Sequence, residues 1–86
     1  MFVILVYDVR EKYLGKVLGI CRQYLNWVQN SVFEGEITKS NLEKLKDELK
    51  RCICKEDSII IYKLGSIRYF RKEILGHDKN PYDNII

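Results

Sequence analysis

Eighty-six residues make one small domain, near the size at which a single core is only marginally stable. Hydrophobic residues at 47% and charged residues at 31% are the balance of a soluble globular chain. The net charge of +3, from 15 basic and 12 acidic residues, leans only mildly toward polyanions and is not the footprint of a dedicated nucleic-acid binder. No apolar run approaches bilayer length, and no basic segment leads into a signal-like stretch at the N-terminus. These features predict a cytoplasmic protein with no membrane partner, and the small core makes a homodimer a reasonable expectation.

The chain opens on Phe2-Val3-Ile4-Leu5-Val6-Tyr7-Asp8, whose unbroken apolar run predicts a central strand buried on both faces. Asp8 ends that strand where the core opens to solvent. Two readings fit it: a structural carboxylate that caps the next helix or bonds loop amides, or a ligand for a divalent metal. Residues 11–25 form the first predicted helix, with Leu14, Val17, Leu18, Cys21, Tyr24 and Leu25 as its apolar stripe. Gly15 and Gly19 lie off that stripe at a cost of roughly 1 kcal/mol each against alanine. Either they admit another backbone closely or they are simply tolerated.

Asn26 to Gln29 reads as a short strand, Asn30 as a tight hairpin turn, and 31–37 as a second strand. Gly35 within it suggests a bulge or a close neighbour. Ser40-x-x-Glu43 has the form of a capping box ahead of a second helix, with Leu42, Leu45, Leu49 and Ile53 inward. Its outer face is assigned Lys44, Lys46, Lys50 and Arg51 together with Glu43, Asp47 and Glu48, a solvated face with local pairing. Ile59 to Leu64 is a buried strand, Gly65-Ser66 a turn, and the basic stretch from Ile67 ends in a short strand near 71–75. A polar tail follows Gly76 and finishes in Ile85-Ile86.

This order, β-α-β-β-α-β plus a short C-terminal strand, defines an α+β, ferredoxin-like fold: an antiparallel sheet with both helices on one face. Residues 1–76 would form the domain and 77–86 a tail docking on a dimer partner. The fold implies no function by itself.

Several chemistries are poorly supported. The three cysteines, Cys21, Cys52 and Cys54, are too few and too irregular for a disulfide framework, and with the lone His77 they give only a weak zinc signal. No glycine-rich loop follows a strand, and a Ser-His-Asp set has little support. One carboxylate cannot hold catalytic Mg²⁺ alone, since that ion usually takes one or two carboxylates plus waters and phosphate oxygens. A two-fold axis near Asp8 would bring a second Asp8 from a partner. Two facing carboxylates would then favour a bridging cation or a shared proton.

Val6-Tyr7-Asp8-Val9, Val17-Leu18-x-x-Cys21 and above all Val28-Gln29-Asn30-Ser31-Val32-Phe33-Glu34-Gly35 resemble the CRISPR-associated endoribonuclease of the "Cas-two" family, the spacer-acquisition partner of the CRISPR integrase. The similarity runs from residue 2 to about 64. It implies that Asp8 is the catalytic, metal-holding residue, with one Mg²⁺ shared between two Asp8 of a homodimer, and that Tyr7 and Phe33 flank the site. It further implies a C-terminal strand that joins the partner's sheet, suiting 71–75, and cleavage of single-stranded RNA or duplex DNA in some members. The family also bridges integrase subunits while holding incoming DNA.

Relatives carry more basic residues on the first helix. Here Tyr13, Gly15 and Gly19 take part of that face, leaving Arg10, Lys12, Lys16 and Arg22. With Arg68, Arg71 and Lys72 these are the candidate nucleic-acid-binding positions, reading phosphates and not sequence. Glu11 is more readily a first-turn helix residue than a second base. The expected function is CRISPR adaptation with metal-dependent endonuclease activity. The alternatives are a stand-alone, toxin-like messenger-RNA endoribonuclease and a non-catalytic DNA-binding scaffold.

Overall fold

A computed structural model describes the backbone of residues 1–66 and 69–77, and the side chains of 1–65 and 73–77. Arg68 and the tail 78–86, with its predicted docking, lie outside the described residues. Among them the order is β1 (Phe2–Asp8), α1 (Glu11–Tyr24), β2 (Asn26–Gln29), β3 (Val32–Glu36), α2 (Lys39–Cys52), β4 (Ser58–Ser66) and β5 (Tyr69–Gly76). The sheet runs β2-β3-β1-β4-β5 with every neighbouring pair antiparallel. Each helix therefore returns the chain to a strand parallel to the one before it and one place removed, the split βαβ arrangement of a ferredoxin-like fold.

Burial along β1 alternates. Val3, Leu5 and Tyr7 are buried, whereas Phe2, Ile4 and Val6 are half-buried. The expectation of a strand buried on both faces is thus corrected. Val3, Leu5 and Tyr7 face a core completed by Val17, Cys21 and Leu25 of the α1 segment, Leu42, Leu45 and Leu49 of α2, and Phe33, Ile37, Ile59, Ile61 and Leu75. The other face carries Phe2, Ile4, Val6, Val32, Ile60, Tyr62, Leu64 and Ile74, all half-buried. Side chains alternate along a strand, so two helices on one side leave this second layer uncovered by any other element among the described residues.

Four local expectations also shift. The N-cap of α2 is Thr38, whose Oγ1 accepts the Asn41 N–H at 3.1 Å, so Ser40 lies inside the helix and not at its cap. Lys46 is buried rather than on the outer face. Of the two readings of Gly35 the close neighbour holds, since Asn26 and Leu25 lie within 3.5 Å of where a Cβ would stand, while the bulge falls elsewhere, between Trp27 and Gln29 of the β2–β3 pair. Gly65 and Ser66 continue β4 and form no turn there.

β5 is longer than predicted and pairs with β4 of the same chain from Ser58↔Gly76 to Ser66↔Tyr69. Within this chain, 71–75 extends the chain's own sheet as its edge strand.

Gly76 closes β5 at φ +89°, and a Cβ there would stand 2.1 Å from the Asp57 carbonyl oxygen. At Gly15 and Gly19 a Cβ would meet nothing within 4 Å, so neither admits a close neighbour within the chain. Gly76→Ala is expected to destabilise by about 2 kcal/mol or more through backbone strain and the clash. Gly19→Ala should stabilise by up to about 1 kcal/mol. Urea denaturation at fixed protein concentration measures both, and opposite signs are the expected result.

Candidate metal centre and nucleic-acid surface

Asp8 is exposed at the end of β1, and the pleat sets it on the same face as Phe2, Ile4 and Val6. Its cross-strand neighbour is Ser58, which in turn stands opposite Gly76. Tyr7 and Phe33 lie on the helix side of the sheet, their rings 6.1 Å apart. The Tyr7 hydroxyl donates to the Asn30 carbonyl at 3.1 Å, as does Trp27 Nε1. Asn30 takes a left-handed conformation at φ 43°, so this one turn carbonyl ties β1 to the β2–β3 hairpin. Tyr7 and Phe33 therefore support the end of β1 from within the core, and Asp8 projects on the opposite face.

Among the described residues no group of three or more His, Cys, Asp or Glu could hold a metal ion. A single exposed hard carboxylate suits Mg²⁺ in kind but is short in number. The donor set fits that ion when a second chain contributes its own Asp8. The thiols do not compete for the role. Cys21 is buried and its pKa is pushed up to about 12, chiefly by desolvation, and Cys52 is raised for the same reason. Cys54 Sγ donates to the Tyr13 hydroxyl at 3.5 Å.

A second carboxylate near the end of β1 went unnoticed in the sequence. Asp57 is fully buried. One of its oxygens accepts the Arg10 N–H at 3.0 Å and the other accepts the Cys54 N–H at 2.8 Å. Arg10 Nε approaches the same carboxylate at 3.6 Å. Burial pushes the Asp57 pKa up, but those two N–H groups and the Arg10 charge outweigh it and hold the group below its ordinary value. The bond to Arg10 spans 47 residues, so no local spacing announces it.

The predicted basic positions do not form one cluster. The Arg10 side chain is drawn to Asp57, to Glu56 at 3.6 Å and over the Tyr13 ring at 5.1 Å. Lys12 also sits 5.1 Å from that ring. Lys12, Lys16 and Arg22 are exposed, and they share the outward side of α1 with Gly15, Gly19 and Gln23 by their three- and four-residue spacing. Glu11 is exposed in the first turn of the same helix. Arg71 and Lys72 belong to β5, opposite Lys63 and Tyr62 in register. Asp8 lies on the open face of the sheet, and the α1 lysines lie beyond its helix-covered face.

Lys46 is the other residue that the sequence reading missed. Its ammonium donates to both oxygens of Glu73 on β5 at 3.1 Å and pairs with Glu43 at 2.9 Å. Lys63 also pairs with Glu73. The position of Lys46, four after Leu42 and three before Leu49, was the available signal, since it falls at the edge of the apolar stripe.

Fold and site together describe a small α+β protein with an exposed carboxylate, Asp8, at the end of β1 on a largely apolar sheet face that also carries Glu34 and Glu36, and with a basic outer helix. The profile described as "CRISPR associated protein Cas2" matches residues 1–72. A Methanocaldococcus jannaschii protein named CRISPR-associated endoribonuclease Cas2 is 51% identical, covering all of this chain and 76% of its own length. Its namesake in Dictyoglomus turgidum is 46% identical over the whole of both chains. Among solved structures, one titled "Crystal structure of cas2" aligns with a TM-score of 0.75 at 41% identity, over 100% of this chain and 98% of that one. Streptococcus pyogenes Cas2 at pH 6.5 aligns with 0.68 at 38% identity, over 76% and 87%. The chain belongs to the Cas2 family of CRISPR-associated proteins.

Both Asp57 and Glu73 have pKa values held down in the folded state. Burial raises each, and hydrogen-bond donors and cations (Lys63 and Lys46 for Glu73) reverse the sign. A carboxylate whose folded pKa is depressed contributes stability that is fully present above its unfolded pKa and lost as pH falls through the folded one. Stability should therefore decline as pH drops below the ordinary values of 4.5 and 3.8. Glu73→Gln should flatten the upper part of that decline, as read by urea midpoints from about pH 7 to about pH 3.

Proposed function

We propose that the protein is a CRISPR adaptation factor that works as a homodimer, with a metal-dependent endonuclease activity seated at a pair of Asp8 residues. The observation that carries this reading is the open sheet face. Its half-buried apolar residues end at Asp8, so two copies related by a two-fold axis through that face would bury the apolar layer and bring the two carboxylates together. The names of the relatives, CRISPR-associated endoribonuclease, support RNA cleavage as the activity to test first.

Asp8 from each chain would hold Mg²⁺. When bound, the ion would supply charge neutralisation at phosphorus and a lowered pKa for water. The rest falls to the chain itself. Tyr7 and Phe33 hold the end of β1 rigid from the core side, and the sheet fixes the direction in which Asp8 projects. Lys12, Lys16 and Arg22 would meet phosphates of duplex DNA along α1 without reading bases. Integrase subunits would be bridged by the dimer as a whole.

A specific observation also favours the scaffold reading. Asp8 and the basic side of α1 face away from each other across the sheet, so DNA held on the helices need not reach the carboxylates. Labelled RNA and duplex DNA incubated with wild type and Asp8→Asn, each with Mg²⁺ or EDTA, separate the two. Cleavage that needs both Asp8 and Mg²⁺ is the expected result, with the Asn variant at least about 100-fold slower. Duplex binding by both variants without any cleavage would overturn the nuclease and leave the scaffold. Duplex affinity should also fall with salt, and a Lys12→Ala/Lys16→Ala double variant should shallow the log–log slope by about 2. An unchanged slope would remove α1 from the binding surface.

A further inference from the structure

We propose that Asp57 is a positioning residue for Asp8, a claim that rests on reading Asp8 as the metal-holding group. Its buried carboxylate receives main-chain N–H groups from two separate turns, Arg10 after β1 and Cys54 after α2. Its own N–H donates to the Cys54 carbonyl at 3.0 Å, and its carbonyl accepts the His77 N–H at 2.9 Å. Three chain segments thus converge on one residue: the β1–α1 turn, the α2–β4 turn and the exit from β5. The next residue, Ser58, is the cross-strand neighbour of Asp8 on one side and of Gly76 on the other. Asp8 is consequently held from two directions, by Ser58 in the ladder and by the clamp on the peptide of Arg10 two residues later.

That arrangement matters for a shared ion. A pair of strand-end carboxylates can meet one cation only if each strand end is held to within a fraction of an ångström, and strand ends fray unless tied down. Both carboxylate oxygens of Asp57 are used, one per turn, so asparagine cannot replace it. Its amide nitrogen would confront an N–H donor, and one turn would lose its partner. The Arg10 guanidinium is a lesser part of the clamp, because its Nε stands at 3.6 Å where the main-chain N–H stands at 3.0 Å.

The test uses Mn²⁺ alone as the probe, titrated into the full-length protein and read by electron paramagnetic resonance below the melting temperature of each variant. Asp57→Asn should weaken Mn²⁺ binding at least about tenfold, the loss usual for groups that orient metal ligands. It should also speed amide exchange at Val9 and Arg10. Arg10→Ala keeps the main-chain N–H and should bind Mn²⁺ several-fold more tightly than Asp57→Asn does. A folded Asp57→Asn with wild-type Mn²⁺ affinity overturns the proposal, since a purely structural role lowers melting temperature alone.

Should Asp57→Asn fail to fold, Arg10→Pro applies the same criterion. Arg10 sits at φ −65° and ψ 147°, which proline can adopt, and the change deletes the N–H that Asp57 accepts. Arg10→Pro binding Mn²⁺ as well as Arg10→Ala does would refute the clamp. If wild type takes up no Mn²⁺, the reading of Asp8 fails instead. The positional claim is then decided by amide exchange, and unchanged protection at Val9 and Arg10 in the variant overturns it.

Discussion

Two helices of 14 residues each cover one face of a five-stranded sheet, and among the described residues no element covers the other. Right-handed crossovers put α1 and α2 on the same side, and the pleat then divides every strand into a core row and an outer row. In many antiparallel sheets the outer row is polar. Here β1 carries Phe2, Ile4 and Val6 outward, and β4 adds Ile60, Tyr62 and Leu64. Burying a side chain of this size contributes about 1.5–3 kcal/mol. For a chain of 86 residues with a small core, covering that row with a second copy would be a large fraction of total stability. The position of Asp8 at the end of the same row would link the stability of the proposed dimer to its proposed chemistry.

Two polar junctions fix the geometry around that face. Asp57 gathers three chain segments behind the end of β1. At the far side of α2, Lys46 joins the helix to β5 through Glu73, with Glu43 and Lys63 completing the set. Each pair has at least one half-buried or exposed partner, and pairs of this kind add little net stability compared with apolar packing, while removing the partner of the buried group is costly. Lys46 and Glu73 join α2 to β5, and the β4–β5 register sets Gly76 opposite Ser58 and beside the Asp57 carbonyl. No helix among the described residues is long and apolar enough to cross a membrane.

The element order was legible because its signals are local: the stripe of α1, the leucines of α2, the turn residue Asn30 and the apolar runs of β1 and β4. The alternation within β1 was not legible. Six consecutive apolar residues read alike whether the second face is covered by the same chain or by another molecule. Thr38 and Ser40 both head plausible caps, and only the geometry of the Asn41 N–H separates them. Asp57 and Lys46 act across 47 and 27 residues, so their partners could not be read from spacing, although the place of Lys46 at the edge of the α2 stripe signalled its burial. Asp8 was legible as a strand-end carboxylate where the core opens to solvent, while the clamp behind it needed the fold.

The central claim is that the open sheet face is the surface on which two chains meet. Its most direct test is sedimentation equilibrium of wild type and Val6→Lys at micromolar concentration, with circular dichroism to verify folding. Val6 is half-buried on the open face, so a lysine there can stay solvated in the monomer but would be trapped in a sheet-to-sheet interface. Wild type should sediment at twice the chain mass, and a folded Val6→Lys at the single-chain mass. A wild type that sediments as a monomer, or a Val6→Lys that remains dimeric, would contradict that claim.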